Sequence, residues 1–176
     1  SQPLATAAGL HVLQSGGNFV DAALTISAVL TVVEPYNSHL GGDAFVVLYD
    51  ARTRQTHALN ASGPAPQAAT LERFRDGIPL RGIQSASVPG LVSAWVLLHE
   101  RYATRELAEL LQPAIRYAQQ GFPAGYRYSQ VFHAHADLLR QFPITWRELL
   151  PDGELPYPGK MMTQPNLGWT LSRIAA

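Results

Sequence analysis

A glycine-rich turn that ends in an acidic residue, Gly41-Gly42-Asp43, is the first feature of this sequence with the composition of a binding site. A phosphate-binding loop follows a strand and opens a helix, but this turn precedes an apolar run at residues 44–49 that predicts a strand. The reversed order argues against a nucleotide site. The turn therefore either brings two backbone segments close together or lines the wall of an active site.

Other residues that could carry chemistry are isolated in the sequence. His133 and His135 are the nearest approach to a metal-binding pair, but on a helix residues two apart do not face each other. No acidic partner completes a ligand set, and we predict neither a metal site nor a cofactor. Ser1 could act as an N-terminal nucleophile with its own amine as base. It leads directly into a helix, so we predict no such role.

The acidic residues occur singly, and no pair of them has a spacing that requires general acid–base catalysis. Glu34, at the end of a predicted buried helix, and Asp43, in the glycine turn, are expected to hold the loops beside them. The residues alone describe a helix-rich α/β fragment.

The elements that must position these residues are mostly helices. A double-glycine stop at Gly16-Gly17 and a capping box from Asn18 to Asp21 separate the first two helices. The second helix is apolar on nearly all sides, which predicts burial. Helices are predicted at residues 4–15, 18–33, 70–76, 89–102, 105–120 with an interruption at Pro113 and a cap at Thr104, 126–141, and from 166 onward; strands are predicted at 44–49, 55–59 and 83–87.

The composition limits the class of protein. The 176 residues are 47% hydrophobic and only 15% charged, with no formal net charge and no cysteine. This length is sufficient for one domain with a core, and the low charge is typical of a chain that buries much of its surface. Zero net charge provides no electrostatic reason to bind nucleic acid. The longest apolar run, residues 19–33, is too short for a membrane span, and we predict none.

An ordered set of motifs covers nearly the whole chain and resembles the N-terminal part of the large subunit of the gamma-glutamyltranspeptidase family. Each motif is weak evidence alone, whereas their order and spacing are specific. In order, they are GGNFVDAA (16–23), VVEP (32–35), GGDAF (41–45), LN with AP (59–60 and 65–66), SVPG (87–90), LQPAI with GFP (111–115 and 121–123) and QPNL (164–167).

The resemblance implies an α/β (α+β) fold, the four-layer αββα sandwich of N-terminal-nucleophile hydrolases, of which this chain is an incomplete helix-rich portion. Residues 1–176 are expected to form a single partial domain. In this family a precursor cuts itself, and the new N-terminal threonine of the small subunit attacks an amide carbonyl. The resemblance thus implies that no catalytic residue lies in this chain, and that its partners are the small subunit of the same precursor and a small amide substrate.

The resemblance also identifies a candidate substrate-binding loop. Members that act on gamma-glutamyl groups carry an arginine four residues before the proline of the Ala65-Pro66 pair, where it grips the substrate carboxylate. Here that position is Ser62, which carries no charge. The resemblance implies that Ser62, Asn60 and Gly63 contact the substrate, and that Gly41, Gly42 and Asp43 form one wall of the pocket.

Three functions follow from this departure. The first is an acylase that hydrolyses a different small amide, such as a glutaryl amide. The second is a gamma-glutamyl enzyme in which another residue holds the carboxylate, such as Arg52, Arg54 or an arginine of the small subunit. The third is a non-catalytic scaffold or binding fragment. The first two share a gamma-glutamyltranspeptidase-like hydrolytic mechanism, which we favour.

Overall fold

The computed structural model describes residues 2–176, and Ser1 lies outside the described residues. The chain forms two compact units, one made of residues up to 39 and from 101 onward, the other of residues 40–100. The helices are α1 (Pro3–Gln14), α2 (Phe19–Val33), α3 (Leu91–Tyr102), α4 (Leu107–Gln120), α5 (Tyr126–Ala134), α6 (Ala136–Arg140), α7 (Pro143–Leu149) and α8 (Pro165–Ala175). The strands are β1 (Ala44–Asp50), β2 (Gln55–Ala61), β3 (Phe122–Pro123) and β4 (Met161–Met162). A single partial domain over residues 1–176 stays a prediction.

Helix α2 is the central helix of the first unit, as its apolar sequence predicts. It packs against α1 and α4, and α4 packs in turn against α8. Two buried polar contacts fix this arrangement: the Thr25 hydroxyl donates to the carbonyl of Leu110 (3.0 Å), and the Gln164 amide donates to the carbonyl of Val32 (2.7 Å). Both acceptors are backbone carbonyls, so each contact sets the position of one helix along another.

The loops at the two ends of α2 are held by acidic side chains. At the C-terminal end, the Asn37 side chain donates to the Glu34 carboxylate (2.7 Å), which confirms that Glu34 holds the following loop. At the N-terminal end, Asn18 and Asp21 form the predicted capping box. Gly16, with φ of +92°, supplies the left-handed residue that ends α1.

Asp21 has a second role beyond the capping box. Its fully buried carboxylate accepts hydrogen bonds from the backbone N–H of Asn18 (2.8 Å) and Thr104 (2.9 Å) and from the Thr104 hydroxyl (2.5 Å). Burial raises the pKa of Asp21, but these hydrogen bonds and one from the Arg105 backbone outweigh it, so that the pKa is lowered. Thr104 was expected to cap the next helix; it binds Asp21 instead, and the N-cap of α4 is Glu106.

Helix α4 continues through Pro113 without the predicted interruption. A proline inside a helix removes one hydrogen bond and strains the preceding turn. Here the residues on both sides of Pro113 bury one apolar face in the core, and tertiary packing outweighs that local cost. The buried residues are Leu110, Leu111, Ala114, Ile115 and Ala118.

The region after α4 differs from the single predicted helix at residues 126–141. The helix breaks at His135 into α5 and α6. Three elements were not predicted: α7, and the short antiparallel pair β3–β4, in which Phe122 is opposite Met162. A two-residue pair has too few residues for a period-2 pattern, so the sequence contains no signal for it.

The second unit is built on an antiparallel hairpin of β1 and β2, as predicted. Its register pairs Ala44 with Ala61 at one end and Asp50 with Gln55 at the other. Alternate residues of β1 face opposite sides, and one side is open in this chain: Phe45, Val47 and Tyr49 are 73%, 76% and 58% exposed. The apolar run was expected to be covered on both faces, and within the described residues one face of it is uncovered.

Two predicted elements of the second unit are wrong. Residues 70–76 form turns rather than a helix, because their apolar side chains bury no common face; Leu71, for example, is 95% exposed. Residues 83–87 were predicted as a strand and instead begin with a 3₁₀ turn at Ile83–Ser85. A strand needs a partner for its ladder, and within the described residues the sheet of this unit contains β1 and β2 only. Among the described residues, no helix is long and apolar enough to cross a membrane.

Candidate functional site

The hairpin brings the predicted site residues to one end of the second unit. Gly41, Gly42 and Asp43 come directly before β1, while Asn60 is the second-last residue of β2 and Ser62 follows the strand. Because Ala44 pairs with Ala61, the residues before β1 and those after β2 leave the sheet side by side. The glycine turn and the candidate substrate-binding loop are therefore neighbours.

Two side chains hold the backbone on either side of the Ser62 side chain. The Asn60 side-chain oxygen accepts from the N–H of Ser62 (2.9 Å), and the Asp43 carboxylate accepts from the N–H of Gly63 (3.1 Å). Asp43 was expected to hold the glycine turn, and its hydrogen bond ties that turn to the loop. Ser62 itself is exposed, so its hydroxyl is free to meet a molecule from solvent.

A third segment, at the start of α3, completes this arrangement and was not predicted to belong to the site. The N–H groups of Gly90 and Leu91 both donate to the carbonyl of Gly42 (3.1 and 2.9 Å), and the N–H of Val88 donates to the carbonyl of Pro64 (3.1 Å). The sequence signal for this segment was Gly90. It lies at the start of a helix, where a glycine is not needed to end one, so its lack of a side chain has another reason.

The absence of a side chain on two glycines permits this close approach. A Cβ on Gly63 would overlap the carbonyl oxygen of Val88, and a Cβ on Gly90 would overlap that of Ala61. Neither glycine has a positive φ, so the requirement is for space. We call the three segments 41–43, 60–64 and 88–91 the loop clamp.

The loop clamp carries one charge, the carboxylate of Asp43. Arg52 and Arg54, proposed above as substitutes for the missing arginine, lie in the turn between β1 and β2. That turn is at the opposite end of two seven-residue strands, roughly 20 Å from Ser62 at the usual rise per residue. Neither arginine therefore lies near Ser62, and a role for either in holding a substrate carboxylate stays a prediction.

A cleft of about 350 Å³ opens beside the loop clamp within the second unit. Its walls are mostly apolar, with a few polar groups, which is the usual composition of a small-molecule site. The lining residues include Pro66, Ala69, Phe74, Ile83, Val88 and Pro89, with Arg73, Gln84 and Ser87 as the polar groups.

The two histidines singled out above do not converge. His133 Nε2 lies 3.2 Å from the carbonyl oxygen of Pro156, and His135 Nδ1 lies 2.9 Å from that of Val131. Each ring is thus engaged with a different part of the backbone. Among residues 2–176, no group of three histidine or acidic side chains is arranged to hold a metal ion.

Comparison with known proteins places these features in a family. The model of the gamma-glutamyltranspeptidase family matches residues 5–176. The glutathione hydrolase-like YwrD proenzyme of Bacillus subtilis is 37% identical over 98% of this chain, and the match covers 33% of the relative. The chain therefore spans about a third of the length of this curated relative.

Solved structures are similar to the chain over nearly its full length. The gamma-glutamyltranspeptidase of Helicobacter pylori matches 99% of it with a TM-score of 0.93 and 30% identity, covering 52% of that chain. The cephalosporin acylase of Bacillus halodurans matches 99% of it with a TM-score of 0.93 and 34% identity, covering 34% of that chain. The predicted fold class, a portion of the N-terminal-nucleophile hydrolase fold, is confirmed. This chain belongs to the gamma-glutamyltranspeptidase family.

Proposed function

We propose that this chain is the substrate-recognising part of an amide hydrolase that works through an acyl-enzyme and accepts a small acyl group other than gamma-glutamyl. The observation that carries the proposal is the uncharged Ser62, at the position where the resemblance implies the arginine that grips the glutamyl carboxylate. The loop clamp adds the negative charge of Asp43 rather than a positive one. A carboxylate placed there would meet a hydroxyl and an anion, so the affinity for a gamma-glutamyl group is expected to be low.

The chemistry requires a nucleophile outside this chain. In the proposed reaction, an N-terminal threonine hydroxyl attacks the amide carbonyl while its own α-amine accepts the proton. The proton passes to the departing amine, the C–N bond breaks, and an ester to the threonine remains. Water then attacks this ester and releases the acid. Within the family, one fold carries out this reaction on different acyl groups, which agrees with similarity both to a gamma-glutamyltranspeptidase and to a cephalosporin acylase.

This chain would contribute the loop clamp and the cleft beside it. The exposed Ser62 hydroxyl can donate a hydrogen bond to a neutral oxygen of the acyl group, and the apolar walls of the cleft fit its hydrocarbon part. The open face of β1, with Phe45, Val47 and Tyr49, is the surface that we propose the small subunit covers. The exposed apolar face is the feature of this chain that supports a heterodimer made from one precursor.

Substrate preference tests the proposal. The full-length gene product should hydrolyse a neutral acyl p-nitroanilide with a higher kcat/KM than gamma-glutamyl p-nitroanilide. A preference for the gamma-glutamyl substrate would contradict the assigned role of Ser62. No turnover of any amide by a mature, two-chain product would favour the scaffold function instead.

Replacing Ser62 with arginine should move this preference. A guanidinium at the loop can pair with the glutamyl carboxylate, and a charge-assisted pair of this kind supports an increase of about tenfold or more in the kcat/KM ratio of glutamyl to neutral amides. The matched control is Thr53→Arg, which adds the same charge at the far end of the hairpin. An equal change in both variants, or none in either, would show that residue 62 does not set acyl specificity.

A further inference from the structure

The loop that carries Ser62 is held by its neighbours rather than by its own secondary structure. It follows the last residue of β2, and it contains Pro64 and Pro66, which have no N–H to donate to a ladder. Its position therefore depends on the few hydrogen bonds that reach it. Two of these are on either side of the Ser62 side chain: the bond from Ser62 N–H to Asn60 and the bond from Gly63 N–H to Asp43.

These two bonds differ in what they connect. The Asn60 bond spans two residues and shapes a local turn. Such a turn can form wherever the loop lies relative to the rest of the unit. The Asp43 bond spans 20 residues and joins the loop to the glycine turn before β1. Asp43 is thus the side chain that sets where the loop lies relative to the pocket wall.

The backbone contacts of the loop clamp also reach this loop. Val88 N–H donates to the carbonyl of Pro64, and Gly63 touches the carbonyl of Val88. The loop is thus contacted both by the segment before α3 and by Asp43. Loss of the Asp43 carboxylate would remove the side-chain contact next to the Ser62 amide and hydroxyl.

We infer that Asp43 is a positioning residue for acyl-group recognition: by holding the Gly63 amide, it fixes the direction in which Ser62 presents its hydroxyl. The inference rests on the proposed function, and it assigns Asp43 no contact with the reacting atoms. Its effect is therefore on binding of the acyl group more than on the chemical steps.

Steady-state kinetics of the full-length gene product test the inference with three variants. Asp43→Ala should raise KM for the best p-nitroanilide substrate about tenfold, the effect of losing one hydrogen bond to a charged acceptor, with kcat changed less than about threefold. Asp43→Asn, which retains an acceptor oxygen, should recover most of this loss. Asp50→Ala is the charge-matched control, because it removes a carboxylate at the far end of the hairpin whose bond to the N–H of Arg52 (2.8 Å) spans only two residues.

Three kinetic results would overturn the inference. One is a KM for Asp43→Ala equal to that of Asp50→Ala. Another is a fall in kcat with KM unchanged, which would place Asp43 in the chemistry. The last is an Asp43→Asn variant as impaired as Asp43→Ala, which would make the charge of Asp43, and not its hydrogen bond, the cause.

Hydrogen exchange gives an answer that does not depend on activity. A peptide covering residues 60–66 has few exchanging amides, because two of its residues are prolines. Its exchange therefore reports mainly on Ser62, Gly63 and their neighbours. Asp43→Ala should accelerate exchange at Ser62 and Gly63, whereas Asp43→Asn and Asp50→Ala should not. If the wild-type protein hydrolyses no amide, the proposed function is wrong and this experiment alone decides the positioning role; identical exchange in wild type and Asp43→Ala would reject it.

Discussion

Gly90→Ala is expected to destabilise the second unit strongly. The new Cβ would overlap the carbonyl oxygen of Ala61, and neither partner is a flexible side chain that can turn away. The start of α3 must then move and break the bonds that Gly90 and Leu91 donate to Gly42. We expect a loss of about 3 kcal/mol in the free energy of unfolding, at the upper end of the usual cost of overpacking.

The midpoint of urea unfolding of the full-length gene product measures this loss. Gly125→Ala is the matched control, because a Cβ at Gly125 meets no atom within 4 Å and the residue has an ordinary φ of −76°. We expect the control to shift the midpoint little. Equal midpoints for the two variants would show that the segments of the loop clamp are not in close contact.

Asp21→Ala is expected to have an effect of similar size on the first unit. The change removes the acceptor that four donors now share, the N–H groups of Asn18, Thr104 and Arg105 and the Thr104 hydroxyl. Unsatisfied buried donors cost about 1–3 kcal/mol each, with partial relief from water, so we expect a total loss of about 3 kcal/mol. The control is Asp137→Ala, since Asp137 forms an exposed ion pair with Arg140 (2.8 Å), and such pairs contribute about 0–1 kcal/mol.

The same residue predicts a pH dependence with a definite sign. The pKa of Asp21 is lower in the folded protein than its ordinary value. Its contribution to stability is therefore fully present above the unfolded pKa of about 4, and it is lost as the pH falls through the lower, folded pKa. Acid unfolding of the wild type should thus be steeper below about pH 4 than that of Asp21→Ala. Parallel acid-unfolding curves would contradict the hydrogen-bonded, ionised state of Asp21.

Local signals in the sequence predicted much of the framework. The capping box at Asn18 and the left-handed Gly16 act within one helical turn, and both were predicted correctly. The helix at 18–33 and the hairpin were predicted because their apolar patterns extend over many residues. The helix predicted at residues 70–76 was wrong because its apolar side chains have no surface to pack on. The strand predicted at residues 83–87 was wrong because it has no partner strand. The interruption predicted at Pro113 was also wrong, because the buried residues on both sides of Pro113 keep the helix continuous.

The candidate site was predicted less completely. Ser62, Asn60 and Gly63 were identified through the family resemblance, and the hairpin register explains why they meet Asp43. That register also puts Arg52 and Arg54 at the end of the hairpin far from Ser62, a result that no spacing in the sequence could provide. The role of Gly90 depends on contact with Ala61, 29 positions earlier in the chain. Such a contact has no local pattern, and it became visible only with the fold.

As proposed above, this chain is part of a self-processing amide hydrolase. Intact mass analysis with N-terminal sequencing of the full-length gene product tests it most directly. We predict two chains that stay associated through purification, the larger containing the present sequence and the smaller beginning with threonine. A single uncut chain under conditions in which the protein is folded would contradict this account.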